Sequence, residues 1–308
     1  RKKPMNSITL NADLAAVSRL VVEGAMLVYT FAFLSFALHL SQLASTKKSV
    51  RSGASRLERI GIALLILAAT IHGVGMVLRG LSASRVPWAN MYEFSITGSF
   101  IVVFIFLLSL MIKDLRLIAT FVAGFTLLVL GVADTLFYVE VKSLMPALQS
   151  YWLVIHVLVA VLATAFFNIA AALSIAYVLK TANWVKSSKA KLVATLRRIL
   201  ALFPKEEQLE RLAYRFNIIG FILWTFTLIA GAIWAERAWH RYWGWDTKEV
   251  WTFIIWTIYA GYLHANATRG WSGKRSAWLG IIGFVAILFN FTIVNLFFKG
   301  LHVYSGLK

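Results

Sequence analysis

Six histidines, at positions 39, 72, 156, 240, 264 and 302, are the side chains best suited to hold a metal or move a proton here, because the chain has no cysteine. This chain therefore contributes no disulfide, no thiolate ligand and no sulfur nucleophile. Only imidazole, carboxylate or phenol could ligate a metal. Beside these histidines lies an unusual stretch. Residues 234 to 251 carry Trp234, Trp239, Trp243, Trp245 and Trp251 among Glu236, Arg237, His240, Arg241, Asp246, Lys248 and Glu249. Tryptophans gather at membrane interfaces because the indole is apolar with one polar N–H, but such a belt supplies about one or two per helix end. The density found here is that of a flat apolar wall for a large planar ligand. Asp246 and Glu249 lie one helical turn apart, a spacing open to acid–base work or cation binding. The simpler expectation is that Asp246 caps the next helix, with Lys248 and Glu249 in its exposed first turn.

The elements that must position these residues follow from composition. The 308 residues are 60% hydrophobic and 14% charged, which fits only a membrane protein. A net charge of +18 would suggest nucleic acid in a soluble domain. Here the basic residues sit in short segments between apolar runs, where they act as topology signals, and no nucleic-acid partner is expected. Crossing the ~30 Å hydrocarbon layer takes about 20 apolar residues. Eight such runs occur, at 18–42, 59–80, 94–112, 117–137, 150–179, 213–235, 250–268 and 276–298. The expected fold is an all-α integral membrane protein of eight transmembrane helices.

Most of the 31 Lys and Arg fall in the segments after the first, third, fifth and seventh runs, which places those segments in the cytoplasm. Both termini and the tryptophan-rich loop between helices 6 and 7 then face outward. Residues 1–17 are expected as an outer or interfacial lead, with no signal-type apolar run. Helices 1 to 5 occupy 18–179 and a basic amphipathic connection 180–212, suited to the anionic lipid of the inner leaflet. Helices 6 to 8, with the loop 234–251, complete one membrane domain over 213–308.

Depth brings some histidines together. His156 lies six residues into helix 5 from the outer side, about 9 Å down, and His302 follows the outer end of helix 8. Both reach the level of the tryptophan-rich loop. His264 is about 20 Å deep, His39 is near the cytoplasmic end of helix 1, His72 is in the outer half of helix 2, and His240 is in the loop itself. Ionisable side chains in membrane helices are costly and usually line an interior or bind something, although any single one also suits a hydrogen bond within the bundle. Two at one depth beside flat aromatic walls have the parts of a haem site: imidazoles for the axial positions and apolar surfaces for the porphyrin. A closed zinc site would want about four ligands at tight spacing, which does not occur. A second outward segment, 81–94, carries Arg85, Pro87, Trp88, Asn90, Tyr92 and Glu93 and reads as an interfacial turn facing the loop.

The run Trp243-Gly244-Trp245-Asp246-Thr247-Lys248-Glu249-Val250-Trp251 resembles the tryptophan-rich WWD signature of the haem-handling membrane proteins of cytochrome c maturation. It is most similar to the CcsA/ResC family of the system II haem lyase. Trp234, Trp239, His264, the 268–271 turn and Leu301-His302 fit the same pattern, and Pro87 to Glu93 looks like the family's outward loop. The resemblance implies haem b as cargo, with His156 and His302 as external axial ligands and His264 as an intramembrane ligand earlier in transit. It implies Trp234, Trp239, Trp243, Trp245, Asp246 and Trp251 as haem-contacting residues, joined by Trp88, Tyr92 and Glu93.

Several partners are implied as well: a CcsB/ResB-type membrane subunit, expected as a separate chain, an apocytochrome c and a thioredoxin-like thiol reductant. The expected location is a bacterial or plastid thylakoid membrane, and the expected activity that of a haem lyase subunit without a side-chain nucleophile. Two positions depart from the family pattern. His240 stands where glycine is common and Thr247 where proline is. His240 thus adds a possible ligand, and His39 could pair with His264. Two other classes fit parts of the sequence. A solute transporter with an aromatic outer gate would bind no chromophore, and a b-type electron-transfer subunit would show histidine pairs at two depths on facing helices.

Overall fold

A computed structural model describes residues 10–45, 55–143, 149–268, 270–298 and 300–301, and every regular element among them is helical. The long helices are α1 (Ala12–Ser45), α2 (Arg56–Ala83), α3 (Met91–Ile112), α4 (Ala119–Val132) and α5 (Tyr151–Thr181). The short α6 (Asn183–Ser187) and α7 (Lys191–Leu202) follow, then α8 (Glu206–Trp239), α9 (Thr247–Thr268), α10 (Lys274–Phe289) and the one-turn α11 (Asn295–Phe297). Wide π-turns extend α4 over Ala133–Phe137 and join α10 to α11 over Asn290–Val294.

Polar side chains set several starts by accepting the first free backbone N–H groups. Asn11 accepts from Leu14, Ser55 from Glu58, Asn90 from Glu93 and Ser150 from Trp152. Seven helical segments are long and apolar enough to cross a membrane. The chain is thus a multi-pass membrane protein. The eighth long helix, α9, matches α3 in length at 22 residues. Its Trp, Tyr, Thr, His and Asn content leaves it outside the apolar group, so eight apolar helices are expected and seven are found among the described residues.

Two antiparallel pairs dominate the packing, α1 with α2 and α5 with α8. α3 and α4 join the first pair around Tyr29, Phe36, Leu65 and Phe106. α9 and α10 join the second around Phe167, Trp224, Tyr259 and Phe284. Lipid gives helices no hydrophobic reason to associate, so close packing of small residues carries much of the contact. α5 accordingly buries Ala163, Ala165, Ala170, Ala171 and Ala172.

Helix limits differ from expectation in three places. α1 starts at Ala12, which shortens the lead. α8 starts at Glu206 and runs through Trp239, so Trp234 and Trp239 are helical and the loop shrinks to residues 240–246. The connection is correspondingly short, with Lys180 Nζ donating to the carbonyls of Phe203 and Pro204. Within it lies α7, which leaves Leu192 exposed. Asn11 N donates to Ser82 O and Leu301 N to Asp246 Oδ2, which sets both residues at the tryptophan end.

Candidate functional site

At the tryptophan end, α3, α4, α5 and α8 leave a chamber of about 1680 Å³, the open solvent at its mouth included, closed on one side by the first turn of α9 and the π-turn after α10. α8 supplies Trp224, Gly231 and Trp234, spaced seven and three residues apart and therefore on one helical face. α5 supplies Leu153, His156, Ala160 and Thr164 by the same rule. Phe94, Phe125, Phe291, Trp88 and Trp243 complete mostly aromatic walls.

Among the described residues, His156 is the histidine that lines this chamber. Its Nδ1–H donates to the Thr227 carbonyl at 2.9 Å, which fixes the tautomer in which Nε2 carries the ligating lone pair. Its ring stacks on Trp234, with centroids 5.9 Å apart and planes 21° from parallel. Gly231 makes that position possible, because a Cβ there would stand 2.8 Å from the imidazole ring.

The other tryptophans divide by role. Trp234 is fully buried and meets Trp239 edge-on at 4.9 Å, so Trp239 backs the wall. Trp243 faces the chamber, whereas Trp251 packs on Phe289 at 4.4 Å behind it. Trp245 is 79% exposed and packs edge-on against Trp243. Trp224, inside α8 and outside the tryptophan-rich stretch, is a wall residue that motif reading misses, although its spacing to Trp234 is visible in the sequence.

Asp246 caps α9 as expected, accepting from Lys248 N at 2.9 Å, and Glu249 reaches back to the Asp246 N–H at 3.1 Å. The arrangement is close to a capping box, with the cap accepting from the second helical N–H rather than the third. The second Asp246 oxygen accepts from Leu301 N at 2.8 Å and so holds the residue preceding His302. His302 itself lies outside the described residues. The exposed first turn expected for Lys248 and Glu249 is corrected: Glu249 is buried with Oε2 on the Gly244 and Asp246 N–H groups, and both residues line the chamber. Lys248 Nζ donates to Asn290 O at 3.0 Å and Asn295 Oδ1 at 2.9 Å. It precedes the 250–268 apolar run, and burial pushes its ammonium down to about 7 against the pull of Asp246.

The segment before α3 contributes Trp88 and Asn90 to the chamber and the first residue of α3 contributes Met91, while Tyr92 and Glu93 turn away from it. Glu93 is completely buried and pairs with Arg79 and Arg85, and it accepts the Ala89 N–H. Tyr92 packs against Arg79 and Tyr138. These two residues hold the turn that presents Trp88.

The remaining histidines are dispersed. His240 is exposed, ends α8 in the left-handed conformation at φ 55° and gives its backbone N–H to Glu236 O. A glycine is easiest there, which gives a physical meaning to the departure at this position. His72 is buried near Tyr29 and Phe100. His39 lies 2.7 Å from Ser55 Oγ and 3.6 Å from Glu58. It sits on α1, which packs on α2, α4 and α7, whereas His264 sits on α9 against α8 and α10, so the structure does not bring these two together. His264 is exposed on the outside of the bundle.

Fold and chamber together define a polytopic helical membrane protein with a deep aromatic binding site at one end. The model of the Cytochrome C assembly protein family matches residues 88–302, which include the whole chamber. The chain is 34% identical over 306 residues to a cytochrome c biogenesis protein CcsA of Prochlorococcus marinus, covering 93% of this chain and 96% of that one. It is 32% identical over 269 residues to CcsA of Cyanophora paradoxa, covering 75% and 82%, and 31% over 286 residues to CcsA of Synechococcus elongatus, covering 81% and 88%. The chain belongs to the cytochrome c assembly protein family, among its CcsA members, and its role is in cytochrome c maturation.

Proposed function

We propose that the chamber holds haem and presents it, at the outer face of the membrane, for attachment to a Cys-x-x-Cys-His apocytochrome c. The observation that carries this reading is His156, set in an aromatic-walled chamber with its Nδ1–H fixed by a backbone carbonyl. Such a partly buried histidine suits an axial position, and the indole and phenyl faces suit a porphyrin. His302 is the second axial ligand on this reading, and Asp246 holds the residue before it, Leu301.

The reaction adds a cysteine S–H across each haem vinyl group to form a thioether. This chain has no cysteine, so both thiols come from the apocytochrome, kept reduced by a thioredoxin-like partner. The residues here act by position: they hold the cargo, exclude water and leave one edge accessible. His264, exposed on a helix expected to lie in the bilayer, receives haem earlier, opposite a ligand from a CcsB/ResB-type subunit, which makes the protein an exporter as well as a lyase subunit.

The test is an absorption spectrum of the protein purified with its partner from haem-replete cells. A b-type signal is expected, weakened in His156→Ala and His302→Ala. A wild-type complex without haem overturns the reading and favours a transporter.

A further inference from the structure

Lys248 is partly buried in the chamber wall, yet both of its hydrogen-bond partners are neutral oxygens, and it makes no ion pair among the described residues. A desolvated cation without a counter-ion is costly. Its place adds to the cost, since the first turn of a helix carries the positive end of the dipole and favours anions. Asp246 and Glu249 do not relieve it by direct contact. Asp246 attracts the ammonium but accepts from the Lys248 and Leu301 backbone N–H groups, and one Glu249 oxygen is held by Gly244 and Asp246. Other polar groups also stand unmet in the same chamber. Trp88 Nε1 and Ser95 Oγ find no acceptor among the described residues, and Glu249 Oε1 and Asn290 Oδ1 find no donor. The donors among these groups, the Lys248 ammonium, Trp88 Nε1 and Ser95 Oγ, suit a ligand with an anionic edge on an apolar body, whereas the two acceptors call for a donor such as water.

We propose that the Lys248 ammonium is the seat for a carboxylate of the chamber's ligand, a porphyrin propionate on the haem reading, and so decides which edge of the ring faces α9. The inference rests on that reading. Because the propionates and the vinyl groups of protoporphyrin lie on opposite edges, anchoring the former at α9 turns the latter away from it. Lys248 is on this account an orienting residue, and the two asparagines that hold its amine, Asn290 on the π-turn and Asn295 on α11, aim it.

The experiment titrates ferric haem, and haem with both propionates methyl-esterified, into the full chain in lipid nanodiscs, following the absorption band. Three forms are compared: wild type, Lys248→Met and Lys248→Arg. Wild type is expected to prefer haem over the ester, and Lys248→Met to lose on the order of 30-fold of that preference, the usual loss for a buried charge pair. Lys248→Arg is expected to keep most of it. An unchanged preference in a folded Lys248→Met protein overturns the inference and leaves the haem reading standing. If Lys248→Met does not fold, wild type decides alone, since equal affinity for haem and ester also overturns it. If wild type binds neither porphyrin, the haem reading fails and this inference with it.

Discussion

At the level of single residues, the chamber depends on close approach as much as on ligands. Gly231 lets the His156 ring lie against α8 within reach of the Thr227 carbonyl. Gly231→Ala is expected to drive the ring off that carbonyl, at about 1–3 kcal/mol of overpacking. Thermal unfolding in detergent should show the loss, and the spectrum should show a weakened haem band like that of His156→Ala. His240→Gly should act in the opposite sense, relieving a left-handed histidine and stabilising the protein by about 1 kcal/mol with haem affinity unchanged. A fall in affinity would place His240 among the ligands. The sequence marks the tryptophans and His156 through residue type and spacing alone. It does not mark Lys248 as a wall residue, because a Lys-Glu pair after an aspartate cap reads as a solvated first turn. What holds it in the wall is the π-turn and α11, more than 40 positions further along the chain, through Asn290 and Asn295.

Among the elements, the turn before α3 shows how a loop is made rigid. Glu93 joins Arg79 of α2, Arg85 of the turn and the Ala89 N–H, and Arg79 also donates to Val139 O beyond α4. Removing one partner of such a buried network costs about 3–5 kcal/mol, because the other charges stay buried. Glu93→Gln is therefore expected to lower the unfolding midpoint sharply, and Arg79→Met in the same chain to recover part of the loss, the sign of direct coupling in a double-mutant comparison. Two additive losses would show that the pair is not coupled. Hydropathy finds the long helices readily because apolar runs of membrane length have few other uses. It misplaces their ends: α8 begins among Glu206, Glu207 and Glu210, where no apolar signal exists, and Glu210 is held there by the Gly273 N–H.

For the molecule as a whole, the exposed imidazole of His264 is a prediction about assembly. An ionisable group facing lipid is costly, so this face should be covered in the native membrane. Diethylpyrocarbonate should modify His264 in the purified chain and spare it in native membranes, while exposed His240 reacts in both. Equal modification of His264 in the two preparations would leave that face to lipid. The run of α8 from Arg215 to Glu236 without an intervening charge is about as long as the hydrocarbon layer is thick. Trp224 then lies near its midplane and Trp243 beyond its edge, and the chamber spans the interval. An iron atom held within it would exchange water for a medium of low dielectric constant. Ferric bis-imidazole porphyrin carries one more positive charge at the metal than the ferrous form, and desolvation disfavours the more charged state. On the proposed reading, the depth of the chamber would raise the iron's reduction potential, so that a milder reductant is enough to bring the iron to the ferrous state and keep it there.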